Sequence, residues 1–199
     1  MEADWEIEVG GDALVIEAQW EGFVDLRRFP DRVGVLPEAQ DLQGLTEVLI
    51  RLNAPESRVW TSKCDVWTIS EFDPLEFDAP PDVPLQAFAC YLDVLPGNEG
   101  QGWGSPDAAI SLCREICDRL RAISIRCCRV DLVVRRALIA GQGALGTTAY
   151  VSACGASLSD AKAVLEQALR VFAEVVSSYD PEGLSSQITM KERASSSIG

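Results

Sequence analysis

The sequence predicts an α+β fold, a largely antiparallel sheet of about six strands with three helices on one face. Three observations carry this: stretches of period-two alternation recur along the chain, pairs of them are followed by segments of helical spacing, and Gly- or Pro-containing links separate them. Read this way the chain is built of successive ββα units at about residues 4–54, 57–123 and 128–179. They form a single domain over 1–180, and residues 181–199, rich in Ser, Gly and charge, are expected to be a mostly flexible tail. A second topology fits the same pattern. A ferredoxin-like βαββαβ unit would start near residue 86, with an N-terminal ββαβ extension and Ser186 to Lys191 as its last strand.

In the first unit Trp5, Ile7 and Val9 alternate with Glu6 and Glu8, Gly10-Gly11-Asp12 supplies a turn, and Leu14, Ile16, Ala18 and Trp20 alternate with Val15, Glu17 and Gln19. The expectation is a hairpin, with a bulge at Glu21-Gly22-Phe23 before the strand continues towards Leu26. From Pro37, Leu42, Leu45, Val48, Leu49 and Leu52 have helical spacing, with Gly44 as a weak point and Asn53-Ala54-Pro55 as a stop.

The second unit pairs Ser57–Ile69 with Gln86–Leu95, where Phe88, Cys90, Leu92 and Val94 share a face. Ser70–Leu85 between them has four prolines and five carboxylates, and its acidic loop repeats Glu-Phe-Asp through Glu71, Asp73, Glu76 and Asp78. Ser105 as N-cap and Pro106 in the first turn start a helix whose apolar stripe runs through Ala109, Ile110, Cys113, Ile116, Cys117, Leu120 and Ile123. In the third unit Cys128–Ala140 alternates, a Gly141-Gln142-Gly143 link suits a hairpin, and Ala144–Cys154 alternates again. Ser157 and Asp160 then form a capping box for a helix with Ala161, Leu165, Leu169, Phe172 and Val176 inward.

At 199 residues and 47% hydrophobic content the chain has ample material for a core. No apolar run approaches the roughly 18 residues that cross a bilayer, and the acidic start lacks a signal-like apolar segment. The seven cysteines suggest no paired framework. The expectation is therefore a soluble cytoplasmic protein. Its net charge of −14 is lopsided, with 21 acidic and 6 basic side chains in residues 1–100 against 10 and 11 in residues 101–199. That balance disfavours nucleic acid as a partner. The seven arginines between 114 and 136 are expected to pair with the acidic first half, within the chain or across a dimer.

The absence of histidine removes Ser-His-Asp and Cys-His nucleophile arrangements and every His-containing metal site. Cys64, beside Lys63, is the one cysteine with an adjacent lysine, but Asp65 opposes activation. Cys113, Cys117, Cys127 and Cys128 do not converge on a metal, because Cys113 lies about 15 Å of helix away from the other end. They read as core. The acidic loop lacks the spacing of an EF-hand, and Gly97–Gly104 lacks the Lys-Ser/Thr ending of a phosphate loop. No catalytic residue, metal or cofactor is therefore assigned.

What remains is the sheet face opposite the helices, expected to carry Tyr91, Asp93, Arg129, Asp131, Arg135, Thr148 and Tyr150, with Glu6, Glu8, Glu17 and Gln19 beside them. The reading is a non-catalytic interaction protein, self-associating as a homodimer or binding a basic partner, with antitoxin-like or inhibitor-like roles as special cases. The competing reading is a small-molecule-binding protein or a carboxylate-based enzyme with Asp93, Asp131, Arg135 and Tyr150 around a cleft on that face.

Overall fold

The computed structural model describes residues 1–80, 83, 85–97, 103 and 105–178. The expected tail, the strand at Ser186–Lys191 and most of the Gly-rich loop after Gly97 lie outside the described residues.

A six-stranded, mostly antiparallel sheet comprises β1 (Glu2–Glu8), β2 (Val15–Glu17), β3 (Val59–Ile69), β4 (Gln86–Pro96), β5 (Cys128–Ile139) and β6 (Gln142–Gly155). Its order is β1-β5-β6-β4-β3, with β2 also beside β5. A short α1 (Pro37–Asp41) precedes α2 (Gln43–Leu52), α3 (Pro106–Arg121) and α4 (Leu158–Ser177). The three long helices share one face of the sheet, where Leu49, Ile116, Leu165, Leu169 and Phe172 bury against Leu92, Val130, Leu132 and Val151. Each such buried side chain contributes about 1.5–3 kcal/mol.

The capping residues read from the sequence act as expected. Ser105 Oγ accepts from Ala108 N–H at 3.2 Å and Ser157 Oγ from Asp160 N–H at 3.2 Å. Two features near the other turns differ. The β5–β6 link is a two-residue turn, Ala140-Gly141, with φ of 50° and 79°, so strand β6 already begins at Gln142. The helix expected from Pro37 breaks at Leu42, whose extended backbone separates α1 from α2 and whose side chain is fully buried.

The first expected hairpin does not form. β1 and β2 both run parallel to β5, pairing Glu2–Glu8 with Arg129–Arg135 and then Val15–Glu17 with Arg136–Leu138. Alternation identified the strands, but it carries no information on partner. The excursion between them also changes which face is apolar: Ile7 sits opposite Val134 on the helix side, whereas Ile16 sits opposite Ala137 on the other. Ile16, expected under the helices, is instead buried with Trp60, Leu95 and Ala137 in a second core.

The other two units stand as ββα halves, β3-β4-α3 and β5-β6-α4, set back to back with β4 and β6 adjacent in the middle of the sheet. In the ferredoxin-like alternative the last strand would flank β4; β3 occupies that place.

The face away from the helices is covered at both ends. At one end the sheet curls, so that Ser62 Oγ near one edge donates to Glu17 O near the other at 2.6 Å. A bulge between Thr61 and Cys64 and the bare Gly146 accommodate the curl; a Cβ on Gly146 would lie 2.7 Å from Leu95 Cδ2 and 3.0 Å from Ile16 Cδ1. The chain then leaves the strand pattern at Gln19 (φ 67°) and Gly22 (φ 90°), so the expected continuation is a strap. In it Phe23 packs edge-on to Trp60 at 6.2 Å and Arg27 lies 3.9 Å over the same indole. At the other end a single-turn flap, Pro74–Phe77, buries Phe77 and Ala79 on Ala87 and Cys154.

Candidate functional site

Between strap and flap the middle of the sheet is left uncovered. Alternation places Glu8 of β1, Arg135 of β5, Thr148 and Tyr150 of β6, and Tyr91 and Asp93 of β4 on this side. Antiparallel pairing sets Tyr91 directly opposite Tyr150, and the next strands outward carry Asp65 opposite Tyr91 and Asp131 opposite Tyr150. The result is a row Asp65–Tyr91–Tyr150–Asp131 in which each ββα half contributes one aromatic and one acid.

Rings run across this row. Trp67 and Tyr91 have centroids 6.3 Å apart, Tyr91 and Tyr150 6.1 Å, and the Arg135 guanidinium lies 5.6 Å from the Tyr150 ring. Trp67 is 37% exposed.

Beside the rings, one step along the strands on the same face, runs a polar chain. Arg135 Nε and Nη2 donate to Glu8 Oε2 at 3.1 and 2.9 Å, and Nη1 donates to Thr148 Oγ1 and Tyr150 OH, each at 3.1 Å. Thr148 Oγ1 in turn donates to Asp93 Oδ1 at 2.6 Å. The curl makes these residues more enclosed than an open face implies. Asp93, Arg135 and Thr148 are buried, at 6%, 7% and 1% exposure. Burial pushes the Asp93 carboxyl up; the Thr148 hydrogen bond and the positive charges of Arg135 and Lys63 offset it only in part. Burial, reinforced by the Asp93 and Asp65 carboxylates, pushes the Tyr91 phenol up to about 12.

Towards β1 the face opens into a cleft of about 510 Å³ lined by Asp4, Glu6, Arg129, Asp131, Val133, Arg135 and Tyr150, with Trp5 and Leu132. Its two arginines are engaged: Arg129 reaches both oxygens of Asp131 at 2.7–2.9 Å, and Arg135 holds Glu8. Asp4 is 3.7 Å from Arg121 at the outer edge of β1. Carboxylates therefore outnumber cations at the cleft.

All seven residues singled out from the sequence lie on this face, in two groups. Arg135, Thr148, Tyr150 and Asp93 form one hydrogen-bonded chain with Tyr91 joined through its ring, and Arg129–Asp131 is a separate ion pair. Trp67, Asp65 and Asp4 were not foreseen as neighbours. The period-two pattern of β3 contains the first two, and only its register against β4 reveals them. The acidic loop leads into the flap at the border of this face, and Glu76 is near enough to Arg129 for its charge to act on it. Asp73 Oδ1 accepts from Leu75 N–H at 2.9 Å to start the flap, and Asp78, at φ 50°, pairs with Arg126 at 3.2 Å.

Of the cysteines, Cys64 is pushed up to about 12 by burial and by the carboxylates of Glu38, Asp65 and Asp93, which is opposite to the shift an activated thiol needs. Cys113 and Cys117 are in the core under α3, with Cys117 Sγ donating to Asp4 O at 3.3 Å. Among the described residues no group of three or more His, Cys, Asp or Glu side chains is placed to hold a metal ion, and no helix is long and apolar enough to cross a membrane. Comparison with protein-family models, with curated proteins and with solved structures gives no match.

Proposed function

We propose that this is a binding protein, without catalysis of its own, that offers the uncovered middle of its sheet to a basic protein partner. The supporting observation is the pairing of a chain of ring contacts, Trp67–Tyr91–Tyr150, with a cleft lined by Val133 and by three carboxylates, Asp4, Glu6 and Asp131, against two arginines, Arg129 and Arg135. Rings and carboxylates together attract guanidinium and ammonium groups, and the rings supply area at little entropic cost. An extended segment bearing Arg or Lys matches both parts. Self-association through this face is disfavoured, because two copies would oppose carboxylate to carboxylate.

The enzyme reading has less support. The groups that would do acid–base work are engaged with one another: Arg135 with Glu8, Thr148 and Tyr150, and Asp93 with Thr148.

The test is a titration of the isotope-labelled protein with an arginine-rich peptide, followed by amide shifts, with a glutamate-rich peptide as control. Shifts confined to Glu6, Tyr91, Val133, Tyr150 and Trp67, weakened several-fold in Glu6→Gln and Trp67→Ala, are the expected result. Shifts spread over every acidic surface, unchanged in those variants, would mean only nonspecific attraction and would sink the proposal.

A further inference from the structure

Cys127 immediately precedes β5, and continuing the β5–β6 ladder one step beyond the Cys128–Ala153 pair sets it opposite Cys154. The backbone confirms the register, since Cys154 N–H donates to Cys127 O at 2.9 Å. Cys127 is itself left-handed, with φ of 61°, and its side chain packs with that of Cys154 beneath the flap, beside Phe72, Phe77 and Leu85. The Cys127 sulfur is close enough to Cys154 to act on its titration. Residues joined by such a backbone hydrogen bond across an antiparallel pair have Cα atoms about 5.5 Å apart, inside the span that a disulfide bridges. None of the other cysteines stands opposite another in the described ladders: Cys64 faces Leu92, Cys90 faces Val66 and Val151, and Cys128 faces Ala153.

The geometry points to Cys127 and Cys154 as a dithiol modification site that a hydroperoxide closes to a disulfide at the edge of the flap. Cys127, half-buried, is the residue an oxidant reaches first, whereas Cys154 is completely buried. The Cys127 thiolate attacks one peroxide oxygen, the O–O bond breaks, and the departing hydroxide takes up a proton as water, leaving a sulfenic acid. Cys154 then loses its proton, its sulfur attacks Cys127 Sγ, the S–O bond breaks and a second water leaves. Two thiols thus give up two electrons and two protons to the peroxide. Burial and the neighbouring Cys127 sulfur hold the Cys154 thiol up at about 12, so it waits as a neutral resolving group. The bond would close the 127–154 hairpin beneath the flap that borders the binding face.

The full-length protein, reduced and then treated with hydrogen peroxide, is alkylated and mapped by mass spectrometry. The expected product is two hydrogens lighter, with Cys154 joined to the peptide that contains Cys127 and Cys128. Cys127→Ser must abolish that link and Cys128→Ser must leave it. In Cys154→Ser, Cys127 should stop at a sulfenic acid that dimedone traps. A link that survives Cys127→Ser, or equal alkylation of Cys127 and Cys154 before and after peroxide, overturns the proposal. As a check independent of any variant's folding, the wild-type protein is also exposed to phenylarsine oxide, which bridges only thiols within reach of each other. One arsenical per chain, protecting Cys127 and Cys154 from alkylation, is expected; protection elsewhere or none contradicts the site.

Discussion

Arg135 ties four strands together from a single side chain. It reaches β1 through Glu8 and β6 through Thr148 and Tyr150, and Thr148 passes the connection to Asp93 on β4. Arg135→Ala would leave the Tyr150 phenol and the buried Thr148–Asp93 pair without their partner and remove the ion pair to the partly exposed Glu8. The expected loss is about 2–4 kcal/mol, read from the urea midpoint. Arg135→Lys keeps the charge but lacks the fork that serves Glu8 and Thr148 together, so it should recover only part of that loss. Asp93 gives a prediction with a sign. Between 3.8 and its higher value in the fold, the native protein holds a proton that the unfolded chain has released, so this group's contribution to stability falls as pH rises through that window. Asp93→Asn keeps an oxygen to accept from Thr148 and cannot ionise. Its stability relative to wild type should therefore rise between pH 3.8 and neutrality; a flat or falling difference would contradict the account. These residues were legible as a face, because alternation assigns faces. Their burial was not, because curl depends on a bulge and a glycine whose effect appears only once neighbouring strands are in place.

Among the elements, α2 shows how local and tertiary logic diverge. Gly44 reads as a flaw in a helix, yet it marks where α2 crosses α4: a Cβ there would lie 2.7 Å from Glu166 Cβ and 3.0 Å from its Cα. Propensity alone says that Gly44→Ala stabilises by close to 1 kcal/mol. The close approach says the opposite, and because a backbone-bound atom must move, the expected outcome is a loss of about 1–3 kcal/mol in thermal or urea unfolding. The break at Leu42 has a similar origin. Its buried side chain and the Thr46 Oγ1 bond to Ala39 O at 2.9 Å hold the kink from outside the helical pattern. The caps at Ser105 and Ser157 were legible because they involve neighbours three residues apart, within the range that sequence pattern encodes.

At the scale of the molecule, β3 pairs with β4 and β5 with β6, whereas β1 and β2 both meet a partner more than a hundred residues away. Glu8 and Arg135, which bond to each other, are 127 residues apart in the chain. Such pairing carries no local signature. It also means that strap, curl and cleft all depend on a long-range edge: Asp131, Arg135 and Tyr150 were expected around a cleft and line it, but Asp4 and Glu6 are brought beside them only by that edge. The same separation has a consequence during synthesis. At translation rates of about 5–20 residues per second, β1 is made roughly 6–25 seconds before the strand it will pair with. Throughout that interval its backbone donors and acceptors are unmatched, a condition that invites pairing with other nascent chains. Glu2, Asp4, Glu6 and Glu8, spaced along one side of the segment, give it a uniform negative charge while it waits, so two copies repel until β5 arrives with Arg129 and Arg135 opposite Glu2 and Glu8.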